Sequence, residues 1–151
     1  MKHLKTIILS VSIAVAAFVS CEKDGEVGNL HGQWQLTQRA LRGAPVEDCH
    51  TEGLFWNFQQ HLVDIQSSKS LLNGVTNHTM GRFVFTGDSL RLTELYIHSF
   101  DRDSLLTDDA LRTLVPAGIY GCRSSFAVET LTSKRMVLRN DSCQLVFRKF
   151  G

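Results

Sequence analysis

The chain has 151 residues, a formal net charge of +1, 43% hydrophobic and 21% charged residues. A charge so close to neutral excludes the basic surface that nucleic-acid partners require. The composition is that of one globular domain large enough to bury a proper core. The four cysteines show no C-x-x-C spacing, which argues against a thiolate zinc site or a thioredoxin-type redox pair.

Lys2 and Lys5 precede Ile7–Val19, an almost wholly apolar run broken only by Ser10 and Ser12. That run is too short to span a bilayer comfortably and has the layout of a cleaved secretory signal over residues 1–20. It closes Ala16–Ala17–Phe18–Val19–Ser20 before Cys21. The junction resembles a bacterial lipobox, with Phe18 where a leucine is usual. The resemblance implies diacylation of Cys21, a membrane partner through the lipid anchor, and a place in the cell envelope. Without the signal the chain carries 14 basic and 15 acidic residues, because Lys2 and Lys5 leave with it. Residues 21–29, CEKDGEVGN, read as a flexible tether. Lys23, Asp24 and Glu26 resemble the export signal of Bacteroidetes surface lipoproteins, which implies an outer-membrane, surface-exposed protein.

From residue 30 onward the pattern is strand-like. Gln33–Leu41 alternates, with Trp34, Leu36 and Ala40 on one face. Leu54–Phe58 groups Leu54, Trp56 and Phe58, and His61–Ser67 follows a tight Gln59–Gln60 connection. Within Arg82–Leu95, RFVF and SLRL flank Thr86–Gly87–Asp88, which is strong hairpin chemistry. Phe126–Thr130, Met136–Arg139 and Leu145–Lys149 complete eight short strands, with turns at Ser133–Lys134 and Asn140–Ser142. One segment departs from this: Thr107–Leu114 has a capping threonine, acidic residues in its first turn and Pro116 just beyond, which predicts a short helix before the sixth strand. Ser68–Thr79 and Ser99–Leu106 read as long polar loops.

Eight antiparallel strands in near-neighbour order predict an all-β, up-and-down barrel over residues 30–151, since closure removes the exposed edges. A two-sheet sandwich is the alternative. Gly32-x-Trp34 opens the first strand, and Arg148 lies in the last. This pairing resembles the lipocalin signature, in particular the small lipocalin-like lipoproteins of Bacteroidetes. The resemblance implies that Trp34 plugs the closed end and that Arg148 packs across its ring as a cation–π pair.

Alternation places Trp56, Phe58, Phe83, Phe85 and Tyr96 on the inward face, together with the polar Gln38, Ser67, Glu94 and Thr130. Buried polar groups need partners, so these residues are the candidate lining of a ligand pocket in the barrel mouth. The histidines are scattered, no metal-ligand spacing occurs and no G-x-S-x-G elbow is present. Adjacent Cys49 and His50 point apart on an extended chain, out of general-base reach. Asp101, Asp103, Asp108 and Asp109 lack EF-hand spacing. No cofactor, metal or catalytic residue is therefore expected. Extending the register of the hairpin around Ser133 brings Cys122 near Cys143, a candidate disulfide, with Cys49–Cys122 as the competing pairing. Two readings follow for function: a carrier of a small apolar or amphipathic ligand, or a protein-interaction or inhibitor module that uses loops 68–79 and 99–106 over a packed interior.

Overall fold

The structure, a computed structural model, describes residues 28–68, 78–97, 104–107 and 111–151. The segment expected as a signal, Cys21, most of the expected tether, and residues 69–77, 98–103 and 108–110 lie outside the described residues. Among the described residues ten strands form: β1 (Gly32–Leu41), β2 (Val46–Asp48), β3 (Leu54–Gln59), β4 (Leu62–Ser67), β5 (His78–Phe85), β6 (Ser89–Ile97), β7 (Ser104–Leu105), β8 (Ser124–Leu131), β9 (Arg135–Arg139) and β10 (Cys143–Phe150). Hydrogen bonding runs in the order β1-β3-β4-β5-β6-β8-β9-β10, and β10 pairs back to β1. Eight strands thus close an antiparallel up-and-down barrel, with β2 and β7 as short additions paired to β1 and β6. The barrel rather than the sandwich is realised because β1 has a free side for β10.

The turns are those the sequence chemistry dictates. Gly87 takes φ 91° between β5 and β6, with the Thr86 amide donating to the Ser89 carbonyl at 3.0 Å. The Asn140 carboxamide accepts from the amides of Ser142 and Cys143, both at 2.9 Å, and reverses the chain into β10. Thr132 does the same for the amides of Lys134 and Arg135. Within the short helix expected over Thr107–Leu114, residues 108–110 lie outside the described residues; the Leu111 amide donates to the Thr107 carbonyl at 3.0 Å, and a six-residue 3-10 helix, Arg112–Ala117, follows with Pro116 inside it. It precedes β8, the sixth strand of the barrel. Its C-cap, Gly118, has φ 85°, and a Cβ there would lie 2.5 Å from Leu145 Cδ1. Only glycine lets the segment settle so closely onto β10.

One end is sealed by Trp34, which is fully buried and donates from its indole to the Leu30 carbonyl at 2.8 Å. The cation on its ring is Lys149, with Nζ 4.3 Å from the ring centroid. Lys149 also donates to the carbonyls of Asn29 and His31. Arg148 does not make the expected contact. It sits on the outer face and donates from Nε to Gln35 Oε1 at 2.7 Å. The reason is parity: Leu145 and Phe147 are buried in β10, so residue 149 and not 148 shares their face. Gly32, at φ 104°, leaves room for the lysine, since a Cβ would meet Lys149 Cε at 3.1 Å. Burial holds the Lys149 ammonium below the usual lysine value.

Lys149→Met should lower unfolding free energy by about 2 kcal/mol, the sum of a cation–π contact and charge-assisted bonds to carbonyls. Arg148→Met should cost less than about 1 kcal/mol, the scale of one hydrogen bond. Urea unfolding of the two variants measures both, and the reverse ranking would return the plug contact to Arg148.

Candidate functional site

The interior is aromatic. Trp56 lies 5.2 Å from Phe147, 5.7 Å from Phe126 and 6.2 Å from Phe58, centroid to centroid. Phe58 meets Phe83 edge-on at 5.2 Å. Leu36, Leu54, Ile65, Leu90, Leu92 and Leu95 fill the spaces between them. Of the expected lining residues, Trp56, Phe58, Ser67 and Phe83 are buried, and Phe85 is half-buried against the same cluster. The indole Nε1 of Trp56 is buried without a hydrogen-bond partner, the only such side-chain atom among the described residues.

The other four expected lining residues are turned away from the interior. The register slips between Leu36 and Gln38 on β1, opposite Arg82/Phe83 on β6, and between Val128 and Thr130 on β8. Thr37, Thr93 and Glu129 are the extra residues. Each slip inverts the side-chain alternation beyond it. Gln38 is therefore exposed and pairs with outward Val146. Glu94 and Tyr96 share the outer face, where the Tyr96 hydroxyl donates to Glu94 Oε2 at 3.2 Å. Thr130 pairs with outer-face Val137. The same slip that turns Gln38 out turns Arg39 in.

Arg39 organises the end opposite Trp34. Its Nε donates to Glu47 Oε2 at 2.7 Å, its Nη1 to Glu52 Oε2 at 2.6 Å and its Nη2 to Glu52 Oε1 at 3.1 Å. Nη1 also reaches the Pro116 carbonyl at 2.8 Å. Burial works against the charge of Arg39, but the Glu47 hydrogen bond and the surrounding carboxylates outweigh it and raise the pKa. The guanidinium thus fastens the 3-10 helix over the mouth. Beneath it, Leu106, Leu111, Leu114, Ala117 and Ile119 join the barrel core as a cover. Sequence reasoning missed Arg39, Glu47 and Glu52, because strict alternation aims Arg39 at solvent. Glu52→Gln should loosen the cover, with faster hydrogen exchange at the Gly118 and Ile119 amides and a stability loss of about 1 kcal/mol, typical of a weakened charged hydrogen bond. Unchanged exchange at those two amides would show that the cover is held elsewhere.

The three described cysteines are free thiols, so the Cys122–Cys143 disulfide is not formed. Strand β8 starts only at Ser124, and Cys122 lies in the approach to it, with Sγ toward the Leu106 carbonyl at 3.6 Å. Cys143 is buried on β10 opposite Leu41, with Sγ toward the Gly118 carbonyl at 3.5 Å. Cys49 is buried, whereas His50 is exposed and paired to Asp48 at 2.7 Å. Burial pushes both Cys49 and Cys143 up from about 9 to about 11, which suits packing and not nucleophilic chemistry. Since the folded values exceed the unfolded one, the unfolded chain releases its thiol protons first. Stability should therefore be unaffected by these groups below pH 9 and fall between about 9 and 11. In the native protein a thiol reagent such as DTNB should modify Cys122 quickly and Cys49 and Cys143 only on unfolding. Fast modification of either buried thiol would contradict the packing described.

Three clefts lined by described residues lie on the outer wall and rim, with volumes of about 260, 400 and 260 Å³. Among the described residues no group of three His, Cys, Asp or Glu side chains converges as metal ligands.

Residues 16–150 match the family model described as a lipocalin-like domain. Two solved structures are similar. One is a lipocalin-like protein from Bacteroides uniformis, at 24% identity and TM-score 0.58, covering 82% of this chain and 100% of that one. The other is an uncharacterized protein from Bacteroides eggerthii, at 22% identity and TM-score 0.56, covering 80% and 98%. At those identities the likeness concerns the fold. No curated protein matches the chain.

Proposed function

The chain belongs to the lipocalin-like family, and from that premise we propose that it binds rather than transforms: an exported, lipid-anchored carrier that takes a small apolar or amphipathic molecule into the barrel through the mouth. The observation that carries this reading is Trp56 Nε1, a buried donor without an acceptor in the aromatic core. Leaving such a group unpaired costs about 1–3 kcal/mol. A ligand that brings one carbonyl or hydroxyl oxygen into an aromatic wall recovers that cost while burying its apolar body. Ser67 and Thr79, buried near the mouth, add hydroxyls on the path inward. Entry requires the cover fastened by Arg39 to lift.

The anchor reading rests on Cys21 after the apolar run and on the tether that follows. It places the domain at the outer membrane, with Lys23, Asp24 and Glu26 favouring the cell surface. A second reading, a protein-interaction or inhibitor module, is favoured by the tight side-chain filling of the described interior.

Mass spectrometry of the natively purified protein decides between them. The carrier reading expects a co-purifying small molecule, displaced by cis-parinaric acid with a rise in probe fluorescence that Trp56→Phe weakens severalfold. An empty protein that fails to take up the probe leaves the module reading in place. The same spectra should show acyl chains on Cys21, and Cys21→Ala should move the protein from the membrane to the soluble fraction; an unacylated wild-type cysteine would overturn the anchor.

A further inference from the structure

We propose that the outer wall of the barrel carries a phosphate-binding cleft where β9 and β10 pass the irregularity in β1. Arg135 and Arg148 are direct cross-strand partners on the exposed face. Like charges placed opposite one another destabilise a sheet. On the same wall Arg139 is matched to Glu129 at 2.7 Å and Arg82 to Glu94 at 3.4 Å. Neither Arg135 nor Arg148 has a carboxylate partner among the described residues; the one side-chain partner of the pair is Gln35.

That partner makes the site a built one. Gln35 is buried to 6% exposure, donates from Nε2 to the His50 carbonyl at 3.0 Å and accepts from Arg148 Nε at 2.7 Å. The guanidinium is thereby held by its inner nitrogen, which leaves both Nη groups for a second partner with acceptor oxygens. Thr37, the extra residue of β1, donates to the Val146 carbonyl at 3.0 Å and fixes the local bend that turns Gln38 outward. Between these groups lies a cleft of about 260 Å³ lined by Thr37, Gln38, His50, Arg135 and Arg148. The neighbouring carboxylate, Asp48, is already engaged by His50 at 2.7 Å. Two guanidinium groups and the Gln38 carboxamide line this one cleft, and phosphate, whose several oxygens accept from more than one guanidinium and which carries up to two charges, suits such a set of donors. The cleft lies outside the barrel wall, so this inference does not depend on the interior ligand. A lipid headgroup and a soluble phosphorylated molecule share the recognised chemistry.

The exported chain bearing Cys21→Ala, titrated with inorganic phosphate, is followed by ¹H–¹⁵N amide shifts. In parallel it is floated with vesicles of phosphatidylcholine alone or mixed with phosphatidylglycerol. We expect saturable shifts at Gln35, Gln38, Arg135 and Arg148, and an affinity about tenfold lower in Arg135→Gln, equivalent to about 1.4 kcal/mol. Arg139→Gln should change nothing. Among the described residues Arg135 makes no side-chain bond, so its variant retains the barrel, and a thermal melt checks this. Flotation only with phosphatidylglycerol, lost in Arg135→Gln, assigns the phosphate to a headgroup. Shifts without flotation assign it to a soluble molecule. Equal weakening by Arg135→Gln and Arg139→Gln, or no saturable response in either experiment, overturns the site.

Discussion

The pairing of β1 with β10 is the constraint on which the rest of the molecule depends. It runs from Gln33 opposite Phe150 to Leu41 opposite Cys143, and it converts a curled sheet with two open edges into a closed barrel. It sets Lys149 over Trp34, and so seals one end. It puts Leu145 under Gly118, and so seats the cover at the other. It also places Arg148 on Gln35. The plug, the cover and the outer cleft are all local expressions of one strand-to-strand register.

Three irregularities adapt that register to side chains of different chemistry. In β1, Thr37 absorbs the slip, so that Trp34 and Leu36 face the core below it while Arg39 faces inward above it. An arginine on the inner face needs partners, and Glu47 and Glu52 supply them from β2 and the segment that follows it. In β6 and β8 the slips at Thr93 and Glu129 hand polar side chains to solvent and keep Leu95, Ile97 and Leu131 with the core. The barrel therefore has an apolar lower part and a charged fastening at its mouth, with the in–out alternation broken in β1, β6 and β8 and kept in β3 and β4.

The fold was legible in the sequence because it rests on signals of short range: alternating apolar residues, Gly87 in a tight turn, Asn140 and Thr132 folding the chain back on itself. Trp34, Trp56, Phe58 and Phe83 lie where alternation puts them. Gln38, Glu94, Tyr96 and Thr130 do not, and each lies just beyond an extra residue whose presence depends on the partner strand. Nothing local in Thr37-Gln38 or Thr93-Glu94 announces a slip. The exchange of Arg148 for Lys149 differs in kind. The parity of Leu145 and Phe147 already pointed to residue 149, and only the preference of the family for arginine pointed elsewhere. Pro116, expected just beyond the short helix, lies inside the 3-10 turn Arg112–Ala117, which settles on Leu145 through Gly118.

The closure of the barrel also orders events in time. Gln35 and Arg148 are 113 residues apart, so the first strand to leave the ribosome meets its partner only when the last has been made. Until then β1 presents an unsatisfied edge carrying Trp34 and Leu36. Contacts of such long sequence separation slow folding and lengthen exposure of sticky intermediates. A chain built this way can close its barrel only after its last strand has been made.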